Sequence, residues 1–322
     1  MEYTKKEAKA YARAKLRGLW GAIPYPFKQD LELDAKGLVS DLDYYVDTIK
    51  IDGFYLGGII NEFWALTVEE RMRAQEILIR EANKKIPTIT MAGHTCIKTA
   101  IELARHAARV GADFVALINP YYAVRTPEMV FEYFRVVASE VDAGILILNS
   151  PTAGYLLTPQ QVAKLAEIDN ICAIKNDAAM EHTNEIRRLV GDQIVVSDPN
   201  EDNWLVNCSF HGQQVFLASP SPHLIQWKNQ LPIVAYTKAA LDGDLETAKR
   251  ISAGLDRLRS IARKWIWQPW ASGSLPIARL KYWQKLLGLA GGYVRPPLPE
   301  MTEAEKRELR KDLEAAGLPI HA

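Results

Sequence analysis

Three absences narrow the classes of protein to which this 322-residue chain can belong. Its cysteines, Cys96, Cys172 and Cys208, show neither CxxC pairing nor zinc-like spacing, so we interpret them as buried thiols. Lys plus Arg and Asp plus Glu both total 39, and no basic stripe with interleaved aromatic residues indicates nucleic acid. No run approaches the roughly 20 apolar residues that span a bilayer. We therefore expect a small-molecule partner, no nucleic acid and no membrane.

Two further features are missing from the sequence: the apolar segment of a secretory signal, and histidines at the spacing of metal ligands. The stretch MEYTKKEAKAYARAKLRG is charged and helical in pattern, without the apolar segment of a secretory signal, so we expect a cytoplasmic protein. His182, His211 and His223 have no partner carboxylate at the spacing of metal ligands. The sequence thus predicts no metal site, and we expect no cofactor.

Short apolar runs alternate along the chain with longer runs of helical period. Runs such as FVALI, ILIL and ICAI are nearly continuous in apolar residues, as are parallel strands that are buried on both faces. We predict strands over 19–23, 53–56, 87–92, 113–118, 144–148, 171–175, 193–197 and 213–218. We predict amphipathic helices between them, such as 68–82, 99–110, 127–139 and 159–168.

Eight strands, each followed by a helix, favour a (β/α)8 TIM barrel over a doubly wound sheet, because the glycine-rich phosphate loop that opens such a sheet is absent. From residue 231 onward only helices are predicted, over 233–241, 245–264, 275–287 and 302–315. The predicted α/β fold therefore has a helical extension at 1–17, a barrel at 18–230 and a C-terminal helical domain at 231–322.

Functional groups of such a barrel lie at the carboxyl ends of its strands and in the loops that follow. Lys175 closes the apolar run ICAI of the sixth predicted strand, so we expect its amine to project from a largely desolvated position into the barrel mouth. Burial favours the neutral amine, which is the form that attacks a carbonyl carbon. The alternative is a lysine that reaches the rim or pairs with Asp177.

Several segments, in the same order, resemble the dihydrodipicolinate synthase and N-acetylneuraminate lyase family. NICAIKNDA at 170–178 is similar to the family's Schiff-base strand, and INPYY at 118–122 to its strand-four motif. GIINEFWALTVEER at 58–71 is similar to its glycine–hydroxyl–hydroxyl–glycine–glutamate loop. Two C-terminal stretches, at 240–251 and 281–318, agree as well.

The resemblance implies a homotetrameric class I aldolase that acts on a 2-oxo acid such as pyruvate. It places Lys175 at the nucleophile that forms the Schiff base. It places Tyr122 at a tyrosine that is contributed across a subunit interface to the proton relay. An aromatic residue of the core or of an interface, without chemistry, is the alternative for Tyr122. The lack of metal-ligand spacing argues against a class II, metal-dependent aldolase.

The chain departs from the family at two places in the expected site. Leu148 replaces the strand-five tyrosine that shuttles protons and holds the substrate carboxylate, and an isobutyl group transfers no proton. Ile59 and Ile60 replace the paired hydroxyl residues that cradle the carboxylate of pyruvate, although backbone N–H groups there can still hold an anion. We expect the substrate to contact these residues and three others, Asn61, Asp198 and Ser219.

Besides Asp177, which lies two residues beyond the lysine and is more typical of a solvated or helix-capping residue, three side chains are candidates for the missing catalytic role. His94 lies at a strand end and titrates near neutrality, Tyr155 lies just beyond the strand-five loop, and Asn149 is placed to hold a substrate or backbone oxygen. Each has a structural alternative, namely a hydrogen-bonded rim histidine, a packing tyrosine and a backbone-anchoring asparagine. We interpret Glu62 as a buried loop anchor rather than a base.

The sequence thus predicts a carbon–carbon or carbon–oxygen lyase of the class I aldolase type. The loop NSPTAGY at 149–155 lacks the arginine with which the family members that use aspartate semialdehyde grip its carboxylate, so we expect an apolar or aromatic partner substrate. Two alternatives stay open: a Schiff-base dehydratase or decarboxylase, and a non-catalytic barrel that binds a 2-oxo acid.

Overall fold

The computed structural model describes residues 3–82, 85–122, 126–218 and 220–321. All eight predicted strands are confirmed, and their bounds differ from the prediction by at most two residues. Strands β1 to β8, in chain order, are Gly18–Gly21, Gly53–Leu56, Thr88–Met91, Phe114–Ile118, Gly144–Asn149, Ile171–Asn176, Val195–Ser197 and Val215–Leu217.

Helices follow or separate the strands, as the periodicity predicts. Within the described ranges, helices α1 to α15 are Ala8–Lys15, Ala35–Asp43, Val68–Ala82, Ile97–Arg109, Pro127–Glu140, Pro159–Ala166, Met180–Val190, Glu201–Phe210, Ser221–Ile225, Pro232–Leu241, Leu245–Ala253, Asp256–Ala262, Gln268–Ala271, Ile277–Leu286 and Glu303–Ala315. Short 3₁₀ turns lie at Lys5–Glu7, Ile59–Asn61, Phe63–Ala65 and Pro151–Ala153, and π turns at Tyr44–Thr48 and Arg263–Trp267. None of the described helices is both long and apolar enough to cross a bilayer.

The single helix predicted over 245–264 is wrong, because the chain breaks it. Helix α11 ends at Ala253, and α12 begins at Asp256 after a turn at Gly254 and Leu255. Glycine in a helix interior costs about 1 kcal/mol relative to alanine, so Gly254 favours the interruption.

The parallel strands are hydrogen-bonded in the order β7-β6-β5-β4-β3-β2-β1-β8. The Ser197 side chain joins the two ends of this order. Its hydroxyl donates to the carbonyl oxygen of Val215 at 3.0 Å and accepts from the N–H of Leu217 at 3.1 Å. The sheet thus closes on itself, and the predicted (β/α)8 TIM barrel is confirmed.

The chain forms two compact units. The first comprises 1–20, 52–58 and 68–218, and it contains the strands, apart from the last residue of β1, together with helix α1 and helices α3 to α8. The second comprises 21–51, 59–67 and 219–322, and it contains α2 and the helices from α9 onward.

Aromatic residues of the N-terminal segment cover the amino ends of β4 and β5. Tyr3 stacks on Tyr11 with ring centroids 4.2 Å apart, and both rings lie beside Phe114 at the start of β4. The Tyr3 hydroxyl donates to the carbonyl oxygen of Asp113 at 2.5 Å and accepts from the N–H of Gly144 at 2.8 Å. The predicted N-terminal helix therefore lies at one end of the barrel, and the loops with the expected site residues follow the opposite, carboxyl ends of the strands.

Candidate active site

Lys175 is the central titratable group at the carboxyl end of β6. Its side chain is buried, and the residue is 6% exposed. Burial lowers the pKa of the Lys175 amine to about 8, against the opposing effect of the Asp177 carboxylate. The amine of Lys175 is therefore desolvated, as the sequence analysis expects, and it does not reach the solvent at the rim of the barrel.

Tyr55 lies against this amine from the other side of the barrel. Lys175 Nζ is 5.3 Å from the centroid of the Tyr55 ring and lies over the ring. Strands β2 and β6 stand four places apart in the order of eight, so their side chains meet only through the barrel interior. Both side chains therefore point inward.

Tyr55 was missed by the sequence analysis, which considered only residues at strand ends and in the loops beyond them. It lies inside β2, in the run GFYL. The alternation of inward and outward side chains along a strand is the signal that identifies such a residue, once the strand opposite Lys175 is known.

Leu148 lies directly beside Lys175, because the two residues are register partners in β5 and β6. Ile118 of β4 and Ser197 of β7 continue the same row. Register partners of neighbouring parallel strands face the same side, so Leu148 also faces the interior. The amine thus has an aliphatic neighbour at the position where the sequence comparison expects a tyrosine.

The side-chain amide of Asn149 holds the loop that follows β5. Its Nδ2 donates to Asn176 Oδ1 at 2.8 Å and to the carbonyl oxygen of Leu157 at 3.2 Å. Its Oδ1 accepts from the N–H of Leu157 at 2.9 Å. Because both N–H groups and the oxygen of this buried amide are bonded to protein, the geometry favours the backbone-anchoring alternative for Asn149.

His94 lies half-buried in the loop between β3 and α4. Its Nδ1 accepts from the N–H of Cys96 at 2.9 Å, so the neutral ring carries its proton on Nε2. The Tyr133 hydroxyl donates to the carbonyl oxygen of His94 at 3.1 Å. Burial, followed by the charge of Arg71, lowers the pKa of His94. This leaves Nε2 as the ring atom that is able to exchange a proton.

The phenol of Tyr155 is held at the start of α6. Its hydroxyl accepts from Gln161 Nε2 at 2.5 Å, and Gln161 also completes the capping box of that helix with Thr158. The carbonyl oxygen of Tyr155 accepts from Asn119 Nδ2 at 3.1 Å. These contacts favour the packing alternative for Tyr155.

Asp198 follows β7 and is 1% exposed. Its Oδ2 accepts from the amides of Asn203 at 2.9 Å and Asn207 at 3.1 Å, and its Oδ1 accepts from the N–H of Asn200 at 2.8 Å. The carboxylate therefore organises the first turns of α8, and this geometry favours a structural role over the predicted contact with substrate.

The strand-two loop residues lie in the second unit. Within the turn Ile59–Asn61, Ile59 is half-buried, Ile60 is 2% exposed and Asn61 is fully buried, with its amide donating to the carbonyl oxygen of Ile23. Ile59 is thus the one of these three with accessible side-chain surface. Ser219, the remaining predicted contact residue, lies outside the described residues.

Glu62 forms a buried ion pair in the same unit. Its Oε1 is 2.5 Å from Lys281 Nζ, with both side chains at most 1% exposed, and its Oε2 accepts from the N–H of Arg295 at 2.9 Å. Burial also lowers the pKa of Lys281 to about 8, and the Glu62 carboxylate opposes that effect. These contacts support the interpretation of Glu62 as a loop anchor.

Tyr122 lies beyond the end of β4 and is 77% exposed. Its neighbour Tyr121 is 37% exposed, and residues 123–125 lie outside the described ranges. A phenol with so much accessible surface in one chain is open to contact by a second copy.

No group of three or more His, Cys, Asp or Glu side chains in the described parts of the chain is arranged to hold a metal ion.

A family model and several known proteins match this chain over most of its length. A model of the dihydrodipicolinate synthetase family matches residues 15–316. The chain is 32% identical to the 4-hydroxy-tetrahydrodipicolinate synthase of Geobacter sulfurreducens over 292 residues, which are 89% of this chain and 94% of that protein. It is 26% identical to an N-acetylneuraminate lyase of Clostridium perfringens over 302 residues, 92% of this chain and 99% of that one.

A solved structure of the same family also matches this chain. A prophage protein of the dihydrodipicolinic acid synthase family from E. coli K12, in complex with pyruvate, matches with a TM-score of 0.80 at 25% identity, over 94% of this chain and 99% of that chain. The chain therefore belongs to the dihydrodipicolinate synthetase family, and it is a lyase of the class I aldolase type.

Proposed function

We propose that the chain is a Schiff-base lyase that acts on a 2-oxo acid through Lys175 and takes an apolar or aromatic partner substrate. The position of Lys175 carries the proposal, because its buried amine has a pKa of about 8 at the carboxyl end of β6. At pH 7 about one tenth of such amines are neutral, against roughly one in three thousand for a lysine at its ordinary pKa of 10.5.

In the proposed reaction, the neutral Nζ of Lys175 attacks the ketone carbon of the 2-oxo acid and forms a carbon–nitrogen bond. The ketone oxygen then leaves as water, and a protonated imine remains. The imine accepts the electron pair of the bond that breaks β to it, or supplies the electron pair for a bond that forms there, and hydrolysis finally releases the acid and restores the amine.

Proton transfer requires a group other than Leu148. We assign it to His94, whose Nε2 is the ring atom available for exchange, and to Tyr122, supplied by a neighbouring subunit of a homotetramer. Asn149 and Tyr155 position the loop between β5 and α6 through the bonds described above.

The partner substrate is proposed from the chemistry of the same loop. Ser150 donates a hydrogen bond to Asp177 Oδ2 at 3.0 Å, so a carboxylate lies beside this loop, which itself contains no arginine. A second carboxylate placed beside Asp177 would meet a like charge and no arginine of this loop, which disfavours aspartate semialdehyde by about tenfold. Pyruvate is the first 2-oxo acid to test, since the E. coli relative binds it.

Borohydride reduction in the presence of pyruvate tests the proposal, and the chain supplies its own control. Lys281 is also buried with a pKa of about 8, but Glu62 holds it in an ion pair. Peptide mapping should therefore find the reduced adduct on Lys175 and none on Lys281. If 2-oxo acids bind without labelling Lys175, the non-catalytic alternative replaces the lyase.

A further inference from the structure

The protonated imine is a positive charge that forms in a buried place. In the row of inward residues beside Lys175, Leu148 offers only aliphatic carbon, and the Ser197 hydroxyl is already bonded to β8. The Asp177 carboxylate is a charged group that acts on the amine. From β2, on the opposite side of the barrel, the group that reaches the amine is the ring of Tyr55.

We propose that Tyr55 is a further catalytic residue, whose ring face stabilises the positive charge of the protonated imine on Lys175. The inference rests on the proposed function, because it assumes that the imine forms there.

The geometry suits a cation–π contact. The nitrogen that becomes the imine is 5.3 Å from the ring centroid, within the roughly 6 Å at which a cation is attracted by an aromatic face. Tyr55 is only 3% exposed, and such contacts are strongest where water is excluded.

The ring is also fixed in place by its surroundings. A Cβ built on Gly58 would lie 2.5 Å from Tyr55 Cε1, so the ring packs against the backbone of that glycine. The proposed contact is therefore preformed, and no reorganisation of the ring is needed when the charge develops.

Two substitutions separate the ring from its hydroxyl. Tyr55→Phe keeps the aromatic face, and Tyr55→Leu removes it. Phe54→Leu is the matched control, because it removes a buried ring from the adjacent position of the same strand, whose side chain points to the other face. The measurements are steady-state turnover of a 2-oxo acid substrate, the pH midpoint of Lys175 labelling by an amine-directed reagent, and the melting temperature.

The ring stabilises both cations, the ammonium and the protonated imine. Tyr55→Leu should therefore lower kcat about tenfold and move the labelling midpoint down by about one pH unit, so that Lys175 labels faster at pH 7 while turnover falls. Tyr55→Phe should stay within about threefold of the parent, and Phe54→Leu should lower the melting temperature without moving the midpoint.

An unchanged midpoint and unchanged kcat in Tyr55→Leu would overturn the inference. A loss in Tyr55→Phe as large as that in Tyr55→Leu would also overturn it, since the hydroxyl would then be the active part. Failure of the parent protein to form a borohydride-stable adduct with any 2-oxo acid would instead remove the proposed function, while the labelling midpoint would still report on the contact.

Discussion

Leu148 and Lys175 are register partners on neighbouring strands, and both face the interior of the barrel. This pairing gives the amine an apolar neighbour and removes the phenol that the sequence comparison expects beside it. It explains how a lysine with a pKa of about 8 is held, and why the proton transfers must be assigned to other groups.

Replacement of Lys175 by methionine should stabilise the protein at neutral pH. The pKa of Lys175 is lower in the folded state than its ordinary value of 10.5, so the folded state disfavours the charged amine. The difference between the two pKa values corresponds to about 3 kcal/mol of folding free energy. This penalty is present in full below pH 8 and disappears as the pH rises toward 10.5.

Urea denaturation of the parent and of Lys175→Met between pH 7 and pH 10 would measure the effect. The variant's advantage should shrink steadily above pH 8. An advantage that stays constant over this range would show that packing, and not the charge, is responsible.

Removing one member of the Glu62–Lys281 ion pair should lower the stability of the protein more than removing both members. Lys281→Met leaves a fully buried carboxylate without its cation, which destabilises by about 3–5 kcal/mol. In the double variant Glu62→Gln/Lys281→Met much of that loss should be recovered. A double-mutant cycle in free energies of unfolding gives the coupling energy, and additive losses would contradict an energetic coupling between Glu62 and Lys281.

Asn149→Ala should loosen the loop after β5. It leaves the N–H and carbonyl groups of Leu157 without their partner, at a cost of about 1–3 kcal/mol for each buried group. Asn203→Ala, which removes one bond at a partly buried site, is the control and should cost less. Lys175 should still be trapped in Asn149→Ala. Unchanged stability with lost trapping would place Asn149 in contact with substrate instead.

Substrate preference should follow the lack of an arginine in the loop after β5. With pyruvate as the first substrate, the specificity constant for aspartate semialdehyde should be lower than that for an aromatic aldehyde by about tenfold, because the Asp177 carboxylate repels a second carboxylate. Steady-state assays of the two aldehydes under the same conditions measure this ratio. Comparable specificity constants would contradict the proposed partner.

Apolar runs made the strands predictable, because a strand that is buried on both faces has almost no polar position. The apolar run ICAI predicted β6, and the lysine that directly follows this run predicted the candidate nucleophile. The interruption at Gly254 was missed, since the helical period continues across it and a single glycine costs only about 1 kcal/mol.

The side-chain partners of the site were not predictable in the same way. The bonds of Asn149 to Leu157 and of Asp198 to Asn203 depend on how loops fold back, which no spacing rule encodes. Tyr55 approaches Lys175 across the barrel, and that contact depends on which strands stand opposite each other.

The most direct test of the account is the mass of the protein after borohydride reduction with pyruvate, over a pH series, for the parent and for Lys175→Arg. The parent should gain the mass of one carboxyethyl group per chain, with the initial trapping rate rising toward pH 8, and the variant should gain none. Equal mass gain in the two proteins, or no gain in the parent with any 2-oxo acid, would contradict the assignment of Lys175 as the nucleophile.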